Sequence, residues 1–96
     1  FTALICANDE MASGAMTAAR EAGFDIPSQL SIIGFDNVLF SRYLYPKLTT
    51  INNPIHAMGE MAAYWVLQHV YGIKSPIPIE HLFEPEVVNR DTLGKL

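Results

Sequence analysis

The sequence predicts an α/β chain in which a parallel sheet is flanked by helices. Three observations carry this. An apolar run, Phe1 to Ala7, stops at Asn8-Asp9 and gives way to a segment of helical spacing. A second apolar run, Leu30 to Phe35, shows little alternation, as strands covered on both faces do. Strand, helix and strand in that order form a βαβ unit, with parallel strands and a right-handed crossover.

Each element has a local cause. Asn8 or Asp9 can cap the first helix, because a side-chain oxygen accepts from the free N–H groups of the first turn. From Glu10 to Ala22, Met11, Ala15, Ala19 and Ala22 form an apolar stripe, with Ala12 and Met16 beside it. Small residues on such a face allow close packing on a sheet. Gly23 is placed to end the helix, and Phe24 to make the hydrophobic contact beyond it. Asp25 to Ser28 is a turn around Pro27, and Phe40 to Tyr45 can form one or two helical turns before Pro46. Leu48 to Asn52 reads as a third, short strand. Asn53 then supplies a cap and Pro54 the first residue of a second helix, from about Ile55 to Tyr71. Met58, Met61, Ala62, Trp65, Val66, His69 and Val70 recur at helical spacing along it, and Gly72 closes it. Pro76 and Pro78 punctuate a loop, and His81 to Asn89 is a fourth extended segment in which Pro85 favours an edge or a bend.

Composition narrows the function classes. Half of the 96 residues are apolar and 17% are charged, which suits a packed chain and not a disordered one. The apolar stretches stop well short of the roughly 20 residues a bilayer span needs, so no membrane partner is expected. The net charge of −4 lacks the Lys/Arg footprint of a phosphate-backbone binder, so this segment is not expected to touch DNA itself. Cys6 is the single cysteine and cannot form an intrachain disulfide, which leans toward the cytoplasm. The opening strand is apolar from Phe1 and has no initiator Met, as expected of a piece of a longer chain.

The polar residues that matter most are placed by the strands. Asn8 follows the first apolar run and Asp36 follows the second. In open parallel sheets, ligands sit outside the carboxyl ends of strands. An ionised Asp accepts from neighbouring hydroxyls, and an Asn amide both donates and accepts, so the pair suits a neutral, hydroxyl-rich ligand such as a sugar. The same residue types also cap helices and end strands, and both readings stand at this point. Asp9 and Glu10 are expected to serve the helix dipole. Cys6 is expected to be packed, and Trp65 and the methionines to be core. His56, His69 and His81 lie too far apart for a local metal motif, and no cofactor is expected. Neither a G-x-S-x-G elbow nor a phosphate loop is present, which disfavours an enzyme.

The motifs Ala7-Asn8-Asp9-Glu10-Met11-Ala12, Gly23 with Ile26-Pro27, Ser31-Ile32-Ile33-Gly34-Phe35-Asp36 and Pro46-Lys47-Leu48-Thr49-Thr50-Ile51 together resemble the C-terminal effector region of the LacI/GalR repressors. The resemblance covers nearly the whole chain. Ser41-Arg42-Tyr43 and Phe83-x-Pro85 look closest to the galactose-operon repressors, whereas Asn89 stands where that group commonly has a basic residue.

The resemblance implies a fragment of a periplasmic-binding-protein-like fold, with two α/β subdomains joined by three crossovers. Residues 1–50 would belong mainly to the C-terminal subdomain and 48–54 would be a crossover. The helix over 55–71 would belong to the other subdomain, and a strand over 81–89 would return. No complete core would then lie within the chain, and Met58, Met61 and Trp65 would be exposed or repacked. Asn8 and Asp36 match effector-contacting positions of the family, and Asn37 stands where many members carry a second Asp, a departure that bears on ligand choice. Met11, Ala15, Tyr43 and Leu44 fall on what resembles a dimer-forming surface. Arg90 and Thr92 match a closing Arg-x-Ser/Thr motif of structural character. The partners implied are a small sugar effector, a second copy of the chain, and DNA through an N-terminal domain that is not in this sequence. A transport protein that binds sugars in the periplasm is the alternative on the same fold.

Overall fold

The structure, a computed structural model, describes residues 1–95. Its elements run β1 (Ala3–Ile5), α1 (Asp9–Glu21), β2 (Ser31–Ile33), a 3-10 turn (Leu39–Arg42), β3 (Thr50–Asn52), α2 (Ile55–Tyr71) and β4 (Glu86–Val88). They divide into two compact units, Phe1–Asn53 together with Glu86–Leu96, and Pro54–Pro85.

In the first unit β1 and β2 pair in parallel, with Ala3 opposite Ser31 and Ile5 opposite Ile33. The expected βαβ unit therefore forms. On the other edge of β2, Ile33 bridges Thr49 in parallel. The Gly34 N–H then donates to the Thr49 carbonyl at 3.0 Å and the Asp36 N–H to that of Ile51 at 2.9 Å. β3 turns to an antiparallel partner, β4, with Thr50 opposite Val88. All four strands are three residues long, shorter than the apolar runs that announce them. The segment expected to be extended from His81 to Asn89 forms strand only over Glu86–Val88, beginning directly after Pro85.

A small core forms in this unit. Cys6, Ala12, Met16, Ile32 and Leu48 are buried together, and Leu4, Ala15, Ile26, Leu30 and Leu44 pack against them. Burying side chains the size of Met16, Ile32 and Leu48 contributes about 1.5–3 kcal/mol each. The helix face that supplies this core is not the expected one. The buried residues of α1 are Asp9, Ala12, Met16 and Ala19, whereas Met11 is 58% exposed. The stripe is rotated because Asp9, a carboxylate, occupies its first position, and a hydrophobicity pattern passes over such a residue. At the other end the Phe24 N–H reaches the Ala19 carbonyl and the Gly23 N–H that of Arg20, with Gly23 at φ +87°. That is a Schellman closure, and the left-handed φ is the reason for glycine.

The second unit is α2 and the loop after it. The helix ends at Gly72, φ +70°, as its sequence position predicts. Its start differs from expectation: Pro54 is the cap and makes no side-chain bond, so Asn53 does not cap this helix. Only Met61 of the expected stripe is buried, while Met58, Trp65, Val66 and Val70 are exposed to 40% or more. Trp65 stacks on His69 one turn later, with ring centroids 4.4 Å apart. No described helix is long and apolar enough to cross a membrane.

Candidate functional site

The strand ends are the chemically unfinished part of the first unit. Past the strands the chain carries Asn8 after β1 and Asp36 after β2, both at the carboxyl end of the parallel pair. There the Asp9 N–H donates to the Phe35 carbonyl at 3.0 Å, one residue beyond the Asn8 N–H that the strand register would supply. Asn8 caps α1, its Oδ1 accepting from the Met11 N–H at 2.8 Å. Its Nδ2 donates to nothing among the described residues. Capping and ligand contact are therefore compatible uses of one side chain. Asp36 is half-buried, and among the described residues its carboxylate accepts no hydrogen bond. Its backbone has φ +100° and that of Asn37 +52°. Asn tolerates the left-handed region, but Asp at +100° is strained, by about 1–3 kcal/mol, and persists only where its surroundings over-determine it.

Those surroundings are visible. The Asn37 N–H donates to Thr50 Oγ1 at 3.3 Å, and the Val38 N–H to Asp9 Oδ2 at 2.8 Å. Asp9 Oδ1 accepts from Thr50 Oγ1 at 2.5 Å. Asp9 is fully buried, so it does more than favour the helix dipole: it ties α1, β3 and the Asp36 turn together. Gly34 makes room for it. A Cβ there would collide with Asp9 Oδ1 and lie 3.2 Å from Asp9 Cα. The sequence did hold a signal for Asp9, since positions 9, 12, 16 and 19 form one helical face.

The closing segment completes the scaffold. Thr92 is buried, its Oγ1 accepting from the Thr49 N–H at 2.8 Å and donating to the Ile32 carbonyl at 2.6 Å. Arg90 Nη1 donates to the Leu48 carbonyl at 2.9 Å and to Ser41 Oγ at 2.7 Å, and its Nη2 to Asn37 Oδ1 at 2.8 Å. All three acceptors are neutral. Asn37 Nδ2 donates in turn to Asn52 Oδ1 at 3.3 Å. The Asn37 side chain, a departure from the family pattern, is occupied on both its oxygen and its nitrogen by the scaffold.

Of the four residues expected on a dimer surface, Met11 and Tyr43 are exposed, whereas Ala15 and Leu44 are half-buried and pack on the unit's own core. Arg20 Nη2 donates to the Tyr45 carbonyl at 2.6 Å and joins the two segments of that surface. Cys6 is packed, and burial raises its thiol pKa, so it is a poor nucleophile. Among the described residues no three His, Cys, Asp or Glu side chains gather as a metal site. What the strand ends offer is a carboxylate acceptor and an amide donor, each without a protein partner among the described residues, the complement of a hydroxyl-rich ligand.

The chain is similar to known proteins in both sequence and fold. A family model described as a periplasmic binding protein-like domain matches residues 2–93. The HTH-type transcriptional regulator GalR of Escherichia coli K12 is 44% identical over 95 residues, 98% of this chain and 27% of GalR. A sugar-binding LacI-family transcriptional regulator from Escherichia coli, solved with phosphate, superposes with a TM-score of 0.86 at 33% identity, covering 97% of this chain and 33% of that one. The lac repressor dimer bound to operator and the anti-inducer ONPF superposes with a TM-score of 0.83 at 33% identity, covering 96% and 32%. The chain thus spans about a quarter of the length of the curated relatives it matches.

Proposed function

This chain belongs to the periplasmic-binding-protein-like domain family, and from that premise we propose that it is the ligand-sensing part of a LacI/GalR-type transcriptional regulator. In this reading Asp36 accepts hydrogen bonds from a small sugar and Asn8 donates to it. The observation that carries the reading is Asp36 itself, a half-buried carboxylate at a parallel strand end, on a strained backbone, without a protein partner among the described residues. The relatives named above are regulators of transcription, which favours sensing over transport and over catalysis.

The chain leaves the first unit after Asn53 and re-enters it at Glu86. Those two points support reading 48–54 as a crossover, with α2 in the second subdomain and β4 on the return. A bound sugar biases the internal rotation of a regulator only as far as it binds one arrangement more tightly than the other. In a cytoplasmic homodimer, with Met11 and Tyr43 toward the partner copy, that rotation would reset the spacing of N-terminal DNA-binding heads. Galactose is the first sugar to try, given the similarity to GalR.

The test is Asp36→Asn in the full-length protein. The charged acceptor is lost, and a hydrogen bond to a charged group contributes about 1.5–3 kcal/mol, so sugar affinity falls by roughly tenfold to a hundredfold. Calorimetric titration with galactose and related sugars reads this, and operator binding without sugar stays as in the parent. A sugar response equal to that of the parent would refute the assignment.

A further inference from the structure

The turn that carries Asp36 is held from two sides by charged side chains that do not pair with each other. Asp9 grips it through the Val38 N–H at 2.8 Å, and Arg90 through Asn37 Oδ1 at 2.8 Å. Neither charge is neutralised by an ion pair among the described residues. Each is fixed by neutral groups instead, Asp9 by Thr50 Oγ1 and Arg90 by Ser41 Oγ and the Leu48 carbonyl. Arg90 is 53 residues from Asn37 in the chain, and its own N–H is bonded to Thr49 Oγ1 at 2.9 Å.

We infer that Arg90 is a positioning residue for the ligand site, which through Asn37 holds the Asp36 carboxylate in its binding orientation and does not itself touch the ligand. The inference rests on the reading that Asp36 meets the sugar. Its physical basis is the backbone. Asp36 and Asn37 both have positive φ, and without cross-links such a turn relaxes to the ordinary regions. A guanidinium is suited to this work, since its rigid fork reaches Leu48 and Ser41 with one nitrogen and Asn37 with the other. A lysine ammonium is a single point and cannot span the same set. The loop is thus set by the closing segment of the chain, and sugar affinity depends on a residue outside the contact surface.

The experiment uses the full-length protein and two readouts. Wild type, Arg90→Ala, Arg90→Lys, Asn37→Ala and the Arg90→Ala/Asn37→Ala double variant are titrated with neutral hexoses, pentoses and disaccharides. Hydrogen–deuterium exchange is followed on the peptide containing Asp36 to Val38 and on those of α1. Arg90→Ala should weaken binding of whichever sugar the wild type takes by about tenfold or more, and Arg90→Lys should recover little of it. The double variant should bind no worse than Arg90→Ala alone, because both substitutions cut the same link. Exchange should accelerate at Asp36 to Val38 and not in α1. Unchanged exchange at that turn overturns the inference, and so does acceleration everywhere with affinity retained, the mark of a merely structural arginine. If no sugar binds, or if Asp36→Ala binds like wild type, the functional reading fails instead. The exchange limb still decides whether Arg90 sets the turn.

Discussion

Gly34→Ala is the substitution whose effect the structure defines most closely. Gly34 has an ordinary backbone conformation, so its glycine is not a matter of φ. It is a matter of space: the added methyl would collide with Asp9 Oδ1 and sit 3.0 Å from Leu48 Cδ2 and 3.2 Å from Asp9 Cα. Two terms oppose the change. Overpacking a filled core costs about 1–3 kcal/mol. Displacing Asp9 weakens its bonds to Thr50 Oγ1 and the Val38 N–H, and each bond to a charged group contributes about 1.5–3 kcal/mol. One term favours the change, because alanine restricts the unfolded chain by about 0.4–1 kcal/mol. The net expectation is a loss of about 3–5 kcal/mol, a large share of the 5–15 kcal/mol typical of a domain. Urea unfolding of the full-length protein, followed by circular dichroism, measures it. The coupling is tested in an Asp9→Ala background, where the clashing oxygen is gone and the cost of Gly34→Ala should fall by about half or more. A loss below about 1 kcal/mol, or an equal loss in both backgrounds, would refute the argument.

Two further outcomes follow from single contacts. Thr92→Val keeps shape but leaves the buried Thr49 N–H without its acceptor, so unfolding stability should fall by about 1–3 kcal/mol, and a change under half of that would show that another acceptor takes over. Asn8→Ser retains a capping oxygen and removes the amide donor, so the melting temperature should hold while sugar affinity drops by about tenfold, whereas Asn8→Ala should lose about 1 kcal/mol of stability as well. Equal affinity for Asn8→Ser and wild type would assign Asn8 to capping alone.

What the sequence made legible was what neighbouring residues determine. The parallel pair follows from two apolar runs with a helix between them, and the ends of α1 and α2 follow from Gly23 and Gly72, whose positive φ is a local requirement. Asn8 and Asp36 could be singled out because each directly follows its apolar run. Two expectations miss, each for its own reason. A stripe through Met11 fits a period of hydrophobic residues, which has no place for a buried carboxylate, and yet Asp9 is fully buried while Met11 is 58% exposed. Asn53 has the chemistry of a cap, but the backbone of Pro54 takes that role.

The support of the site was hidden for a different reason. Bonds from Asp9 to Thr50, from Thr49 to Thr92 and from Asn37 to Arg90 span 41, 43 and 53 residues, and they join polar groups that any surface loop could carry. Nothing in composition or spacing separates such a threonine or arginine from a solvated one. Only the tertiary fold, which buries Asp9, Thr49, Thr50 and Thr92 together, turns these hydrogen bonds into specifications of one conformation. It follows that loss of sugar response does not by itself locate a contact residue. Asp36→Asn would lose the response by removing an acceptor, Arg90→Ala by letting the turn relax, and Gly34→Ala by unseating Asp9. Affinity, local exchange and unfolding free energy, measured on the same variants, separate the three causes, because each substitution moves a different combination of them.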